Sequence, residues 1–168
     1  VAGVNMGQTA EILAREFHIT REQQDAFALD SHRKTIAAAA RLQEEIMALP
    51  LPPKYAAMLT ADDGPRANLD LAGLTKLKPY FDKVAGTVTV GNACPITDGA
   101  AAVLVMGESQ ARERGLKPLG YVRDWAYAAL DGKRMGLGPV YATSKLLTKT
   151  GMTMSDFDTV ELNEAFAA

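Results

Sequence analysis

The stretch Thr87-Val88-Thr89-Val90-Gly91-Asn92-Ala93-Cys94-Pro95, followed closely by Asp98-Gly99-Ala100-Ala101-Ala102-Val103-Leu104-Val105-Met106, decides the fold class. Residues 87–90 are all β-branched, which favours extended backbone, so a short strand is predicted there. Gly91 to Pro95 turn the chain, Asp98-Gly99 is a second turn signal, and the compact apolar run 100–106 reads as a buried strand. Working outward, residues 108–114 form a short helix stopped by Gly115. Residues 119–128 alternate imperfectly as a strand. Gly138-Pro139 opens a helix that reaches Lys149 and is closed by Gly151, and residues 159–162 make a last strand. The order strand, strand, helix, strand, helix, strand predicts an α/β layered architecture.

Upstream of Thr87 the pattern is helical. Thr9 can cap a helix over residues 10–17, and Thr20 with Gln23 three positions later has capping-box spacing for a longer one. That second helix is predicted to run to about Ala48, with Ile36, Ala40, Gln43 and Met47 at helical spacing and the alanines at 37–40 as filler. Pro50, Pro52 and Pro53 end it, because proline lacks the N–H that the helical ladder needs. Residues 51–70, with the turn signal Asp62-Asp63-Gly64-Pro65, read as an extended, exposed excursion.

The chain has 168 residues, 48% of them apolar, which is enough for one ordinary domain core. Its 18 basic and 20 acidic residues give a net charge of -2, with no basic stripe of the kind nucleic acid demands. The longest strongly apolar run, at 100–106, is far short of the ~20 residues of a membrane span, and no export signal is visible. Cys94 is the single cysteine, which excludes an internal disulfide and suits a reducing compartment. These features describe a soluble, intracellular, cytoplasmic protein. His18 and His32 have no partner at ligand spacing, so no metal site is expected and both read as solvated helix-surface residues. The chain opens at Val1 without an initiator Met, and both ends look cut.

The chain closes on Val160-Glu161-Leu162-Asn163-Glu164-Ala165-Phe166-Ala167-Ala168, a short apolar strand running into a polar block where a helix should begin. Asn163 has two readings. It can cap a helix starting at Glu164, or its carboxamide can fix a water whose hydrogen bond stabilises a developing negative charge.

Several collinear stretches carry a family resemblance: Met6-Gly7-Gln8-Thr9-Ala10-Glu11, Ile19-Thr20-Arg21-Glu22-Gln23-Gln24-Asp25-Ala26-Phe27-Ala28, Leu77-Lys78-Pro79-Tyr80-Phe81-Asp82 with Gly86-Thr87-Val88-Thr89-Val90-Gly91-Asn92, Asp98-Gly99-Ala100-Ala101-Ala102-Val103, Met135-Gly136-Leu137-Gly138-Pro139, and the Asn163 block. Together they resemble the thiolases, enzymes that cleave or join 3-ketoacyl-CoA thioesters. The resemblance implies an internal fragment with an αβαβα layered core, present in part, and a mainly helical loop domain. Residues 1–77 would be most of the loop domain, 78–116 the closing part of the first core domain, and 117–168 the opening part of the second.

The resemblance also implies the chemistry. A nucleophilic cysteine becomes acylated, a histidine activates it, and a second cysteine shuttles a proton at the α-carbon, all three expected outside these residues, so that the fragment alone would be inactive. Asn163 would hold the oxyanion-stabilising water. Met6, Phe81, Cys94, Met135, Ala165 and Phe166 would border the acyl or CoA moieties, Cys94 standing where the family often has a serine that touches the pantetheine arm. For Cys94 the alternative is an inert buried thiol, and for Met6 and Met135 ordinary core packing. Gly73 falls where a serine near the adenine end is common. Arg66 and Lys76 are candidates for the CoA phosphates. No cofactor is required, coenzyme A being a substrate.

Acyl-CoA, CoA, further copies of the chain and a subunit of a β-oxidation multienzyme complex are the implied partners, the last from Leu51-Pro52-Pro53-Lys54-Tyr55. Asn5, where acetoacetyl-CoA thiolases tend to have histidine, tilts the reading toward a degradative 3-ketoacyl-CoA thiolase of fatty-acid β-oxidation. A biosynthetic acetoacetyl-CoA thiolase, a non-catalytic thiolase-like lipid or acyl-CoA carrier, and a small helical interaction module are the alternatives.

Overall fold

A computed structural model describes residues 3–168. The chain divides into two compact units. The first holds the described residues up to Pro95 together with Gly132–Arg134 and Leu162–Ala168; the second holds Ile96–Asp131 and Met135–Glu161.

The first unit begins with α1 (Met6–Glu16), which starts at residue 6 where the sequence predicts a start at residue 10. Asn5, not Thr9, is its cap. The Asn5 carboxamide accepts from the Gln8 N–H at 2.9 Å and the Gln8 side chain returns the bond at 3.0 Å, a reciprocal pair that satisfies two donors a helix start would leave open. Thr9 instead donates its hydroxyl to the Met6 carbonyl. The predicted capping box of Thr20 and Gln23 is present and opens α2 (Arg21–Ala37). This helix stops well before Ala48: a break at Ala38 separates it from the one-turn α3 (Ala39–Leu42), which buries no residue. The alanine run explains the early end, because methyl groups bury too little surface to stabilise further turns. At the entry to the excursion, β1 (Leu49–Pro50) and β2 (Met58–Leu59) pair antiparallel, Leu49 opposite Leu59, a minimal hairpin the sequence did not announce. The short α4 (Leu71–Thr75) follows, capped by Asp70.

The core of this unit lies between α1, α2, α4 and residues 87–92, with Ala10, Leu13, Ala14, Leu29, Leu74 and Val88 buried. Residues 87–90 do not form the predicted strand, and the reason is visible in the partners of residues 87–92. The Glu11 carboxylate accepts from the Thr87 N–H at 2.9 Å and the Val88 N–H at 2.9 Å. The Thr89 N–H donates to the Asn92 side chain at 2.7 Å, and Gln24 donates to the Thr87 hydroxyl at 2.9 Å. Side chains have taken the donors that a neighbouring strand would use. Asn92 in turn donates to Asp25 at 3.0 Å, Asp25 accepts from Arg21 at 2.8 Å, and Arg21 also donates to the Leu77 and Leu74 carbonyls. Close approach requires glycine at two points. A Cβ on Gly7 would fall 2.3 Å from the Phe81 ring, and one on Gly86 would fall 2.4 Å from the Glu11 carboxylate.

In the second unit α5 (Glu108–Glu113) ends as predicted, with Gly115 in the left-handed region at φ 66°. The helix α6 (Gly138–Thr150) has Pro139 in its first turn and ends on Gly151 at φ 68°, the position where a side chain would be strained. The predicted strands at 100–106 and 119–128 are not formed, and neither is the one at 159–162. Val103, Leu104 and Leu119 stand almost fully exposed. A strand exists only through its ladder, and among the described residues these segments have no neighbour to pair with.

Candidate functional site

Residues 92–95 meet the closing segment of the chain in the first unit. The Cys94 N–H donates to the Ala165 carbonyl at 2.8 Å, the Ala167 N–H donates to the Asn92 carbonyl at 3.0 Å, and Ala93 bridges Phe166 antiparallel. Phe166 then sets its ring edge-on to Phe81, centroids 5.9 Å apart, and Phe81 meets Tyr80 the same way at 5.0 Å. Four predicted residues, Phe81, Cys94, Ala165 and Phe166, are thus brought together by backbone pairing and aromatic contact.

The other three are not part of this cluster. Met6 sits in the first turn of α1 and is exposed. Met135 lies in a 3-10 stretch, Gly132–Leu137, and belongs to the second unit. Asn163 is exposed, two residues before the pairing begins, and no helix starts at Glu164, so the capping reading of Asn163 is overturned. The cap has no helix to serve because the following residues are held extended by Ala93 and Cys94. Cys94 is a free and exposed thiol, which removes the inert buried alternative.

An open groove of about 260 Å³ borders Cys94. One wall is a single face of α2, Phe27, Ser31, His32 and Thr35, which helical periodicity places side by side. Gly91 to Pro95, Glu164 and Ala167 also line the groove. The Ser31 hydroxyl donates to the Glu164 carboxylate at 2.5 Å. His32 is not the solvated residue predicted. It is half-buried, and its Nδ1 accepts from the Arg66 N–H at 3.2 Å, so it holds the excursion against α2. Arg66 itself and Lys76 are exposed. Ser31, His32 and Glu164 escaped the sequence reading. Glu164 had a signal, lying inside the Asn163 block, whereas the helix-face spacing of Phe27, Ser31 and Thr35 also fits plain surface.

Two charged groups near the site are shifted. The Asp82 carboxyl, beside Phe81, is held below its ordinary range by the Ala85 N–H, then by Arg15 and the Val84 N–H. The Lys34 ammonium is raised by its bond to Asp30, with Glu164 adding a smaller effect. Among the described residues no group of three His, Cys, Asp or Glu could hold a metal ion, and no helix is long and apolar enough to cross a membrane.

Helices tied by buried polar bonds to a loop that pairs with residues 165–167 form the frame of this site. The chain belongs to the thiolase family: residues 1–109 match the thiolase N-terminal domain and residues 116–168 the thiolase C-terminal domain. It is 47% identical over 99% of its length to the 3-ketoacyl-CoA thiolase of Escherichia coli O157:H7 (strain EC4115 / EHEC), of which it spans 38%. Among solved structures it is similar to the dimeric peroxisomal thiolase of Saccharomyces cerevisiae, with TM-score 0.93, 38% identity, and coverage of 99% of this chain and 42% of that one. The Bacillus anthracis acetyl-CoA acetyltransferase gives TM-score 0.91 at 38% identity, covering 98% and 42%. The fold is therefore the thiolase fold, represented here in part, and the backbone follows it even where no strand pairing is completed.

Proposed function

We propose that these residues are part of an acyl-CoA acyltransferase, a 3-ketoacyl-CoA thiolase that uses CoA to cleave 3-ketoacyl-CoA to acyl-CoA and acetyl-CoA. The observation that carries the reading is 47% identity, spread over 99% of the chain, to a 3-ketoacyl-CoA thiolase. In the proposed reaction a cysteine thiolate attacks the 3-keto carbon, the bond between carbons 2 and 3 breaks, and acetyl-CoA departs as an enolate that takes a proton from a second cysteine. The thiol of free CoA then displaces the acyl group from the first cysteine. The nucleophile, its activating histidine and the second cysteine are assigned outside this chain, and these residues alone would be inactive.

Within the chain, Asn163 is proposed to hold the water that donates to the enolate oxygen. Phe81, Cys94, Ala165 and Phe166 would border the pantetheine and acyl groups, and Met6 and Met135 are each assigned an acyl-contacting role by resemblance, which their flexible thioethers suit. The mutual contacts of Phe81, Cys94, Ala165 and Phe166 support the first of these assignments. The division into a loop domain (1–77), the end of one core domain (78–116) and the start of another (117–168) belongs to the same proposal. So do homo-oligomerisation, for which the dimeric yeast relative speaks, a β-oxidation multienzyme partner, the absence of any cofactor besides CoA as substrate, and a cytoplasmic setting that rests on composition alone.

The similarity to acetyl-CoA acetyltransferases favours a second reading, biosynthetic acetoacetyl-CoA formation. Asn5 weighs against it by resemblance, although its side chain also has a purely local role as the α1 cap. A thiolysis assay on the intact protein containing these residues, across acyl chain lengths, tests both. Asn163→Ala is expected to lower kcat about 100-fold or more with CoA binding retained. Unchanged kcat would remove Asn163 from the mechanism, and activity confined to acetoacetyl-CoA would establish the second reading.

A further inference from the structure

We infer that Asn92 is a positioning residue, fastening the segment that carries Asn163 to the buried charge pair of α2. The inference rests on the proposed role of Asn163. Asn92 is 3% exposed and is used in three directions at once. Its Nδ2 donates to the Asp25 carboxylate at 3.0 Å and to the Thr87 carbonyl at 3.2 Å. Its Oδ1 accepts from the Thr89 N–H at 2.7 Å. Its main-chain carbonyl accepts from Ala167 at 3.0 Å.

The first contact decides which way the side chain faces. Asp25 is also 3% exposed, and its other oxygen is occupied by Arg21, so the carboxylate needs a donor on the Asn92 side and would reject an acceptor there. With the carboxamide so oriented, residues 89–92 close on themselves, and the Asn92 carbonyl and Cys94 N–H form the two rungs that hold Ala167 and Ala165. Asn163 precedes the second rung by two residues. Its neighbour Glu164 meets α2 through the Ser31 hydroxyl, a side-chain contact at the exposed end of the segment, while the backbone that carries Asn163 is held by these rungs and by Asn92 behind them. A catalytic group displaced by a fraction of an ångström loses rate while binding groups elsewhere still hold substrate. Asn92 touches no reacting atom in this account.

The replacement that isolates the effect is Asn92→Asp. It keeps size and the acceptor for Thr89 but sets a carboxylate against Asp25, two like charges in one buried site. In the intact protein we expect kcat to fall roughly 10- to 100-fold while KM for CoA stays within about twofold. The hydrogen-bonded N–H groups of Ala167 and Cys94 should exchange faster in the same variant than in the unsubstituted protein. The double variant Asp25→Asn with Asn92→Asp restores a donor facing an acceptor and should recover part of kcat and of the protection. Leu29→Ala, a buried α2 change outside these bonds, serves as a control and should lower stability without selectively exposing Ala167.

Equal losses of kcat and protection in the Leu29 control, or no recovery in the double variant, would overturn the proposal. Should Asn92→Asp fail to fold, hydrogen exchange on the unsubstituted protein decides: Ala167 and Cys94 must be protected comparably to Thr89, and exchange at free-loop rates would overturn it. If the unsubstituted protein shows no thiolysis, the functional reading fails, whereas the exchange measurements still report on Asn92.

Discussion

Glu11 offers the sharpest test of how this chain holds residues 87–92. Its side chain is 1% exposed. One carboxylate oxygen accepts from the Val88 N–H at 2.9 Å and, at 3.1 Å, from the Thr87 N–H. The other oxygen accepts from the Thr87 N–H at 2.9 Å. Glu11→Ala strands both backbone donors in a site that water reaches poorly, and each such donor costs about 1–3 kcal/mol, so a loss of about 4 kcal/mol is expected. That is a large part of the 5–15 kcal/mol by which domains are ordinarily stable. Glu11→Gln keeps the oxygen that serves Val88 and, at 3.1 Å, Thr87, but turns an N–H toward Thr87 where its 2.9 Å acceptor stood, so about 2 kcal/mol should go, most of it at Thr87. The assay is equilibrium unfolding in urea with amide exchange read at Thr87 and Val88. The expected order is Glu, then Gln, then Ala, with the Gln variant exposing Thr87 while Val88 stays protected. If both variants fall within 0.5 kcal/mol of the parent, or the two amides open together in the Gln variant, the carboxylate is not the partner that replaces a strand.

Two further predictions follow from the same unit. Gly7→Ala would place a methyl 2.3 Å from the base of the Phe81 ring, where the ring cannot swing away cheaply; a stability loss of about 1–3 kcal/mol is expected, with a raised KM for acyl-CoA as Phe81 leaves Phe166, and an unchanged KM would detach Phe81 from the substrate tunnel. Asp82 has its folded pKa depressed by the Ala85 N–H, Arg15 and the Val84 N–H. Its stabilising effect is therefore complete above the unfolded value of about 3.9 and is lost as pH falls through the lower folded value. Asp82→Asn should flatten the stability profile below pH ~4 and leave its shape above unaltered, whereas an equal drop at every pH would assign the effect to packing.

The helical half of the chain was readable because its signals are local. Thr20 and Gln23 specify the start of α2 whatever surrounds them, and Gly115 and Gly151 mark helix ends by a backbone conformation that few other residues adopt. Asn5 was missed as a cap only because Thr9 offered a competing one. Of the site, Phe81, Cys94, Ala165 and Phe166 were legible through resemblance, while their mutual contact was not, since nothing in sequence spacing brings residue 94 to residue 165. The groove face of α2 was hidden for a different reason. Ser31 and His32 belong equally well to solvent until Arg66 and Glu164 arrive from distant parts of the chain.

Three of the stretches that carry the family resemblance are also joined to one another by buried polar bonds. Glu11 closes one, Arg21, Gln24 and Asp25 lie in another, and Thr87 and Asn92 end a third. A buried carboxylate or carboxamide has few acceptable partners, so its identity is fixed more tightly than that of an apolar neighbour, for which several residues of similar volume would serve. The apolar runs obey the opposite logic. Val103, Leu104 and Leu119 are suited to a pleated, covered surface, yet suitability to a surface is not a partner, and the hydrogen bonds that would make these segments strands belong to another stretch of backbone. Their sequence carries a strand preference that the described residues do not realise. The pairing itself is non-local and was never theirs to encode.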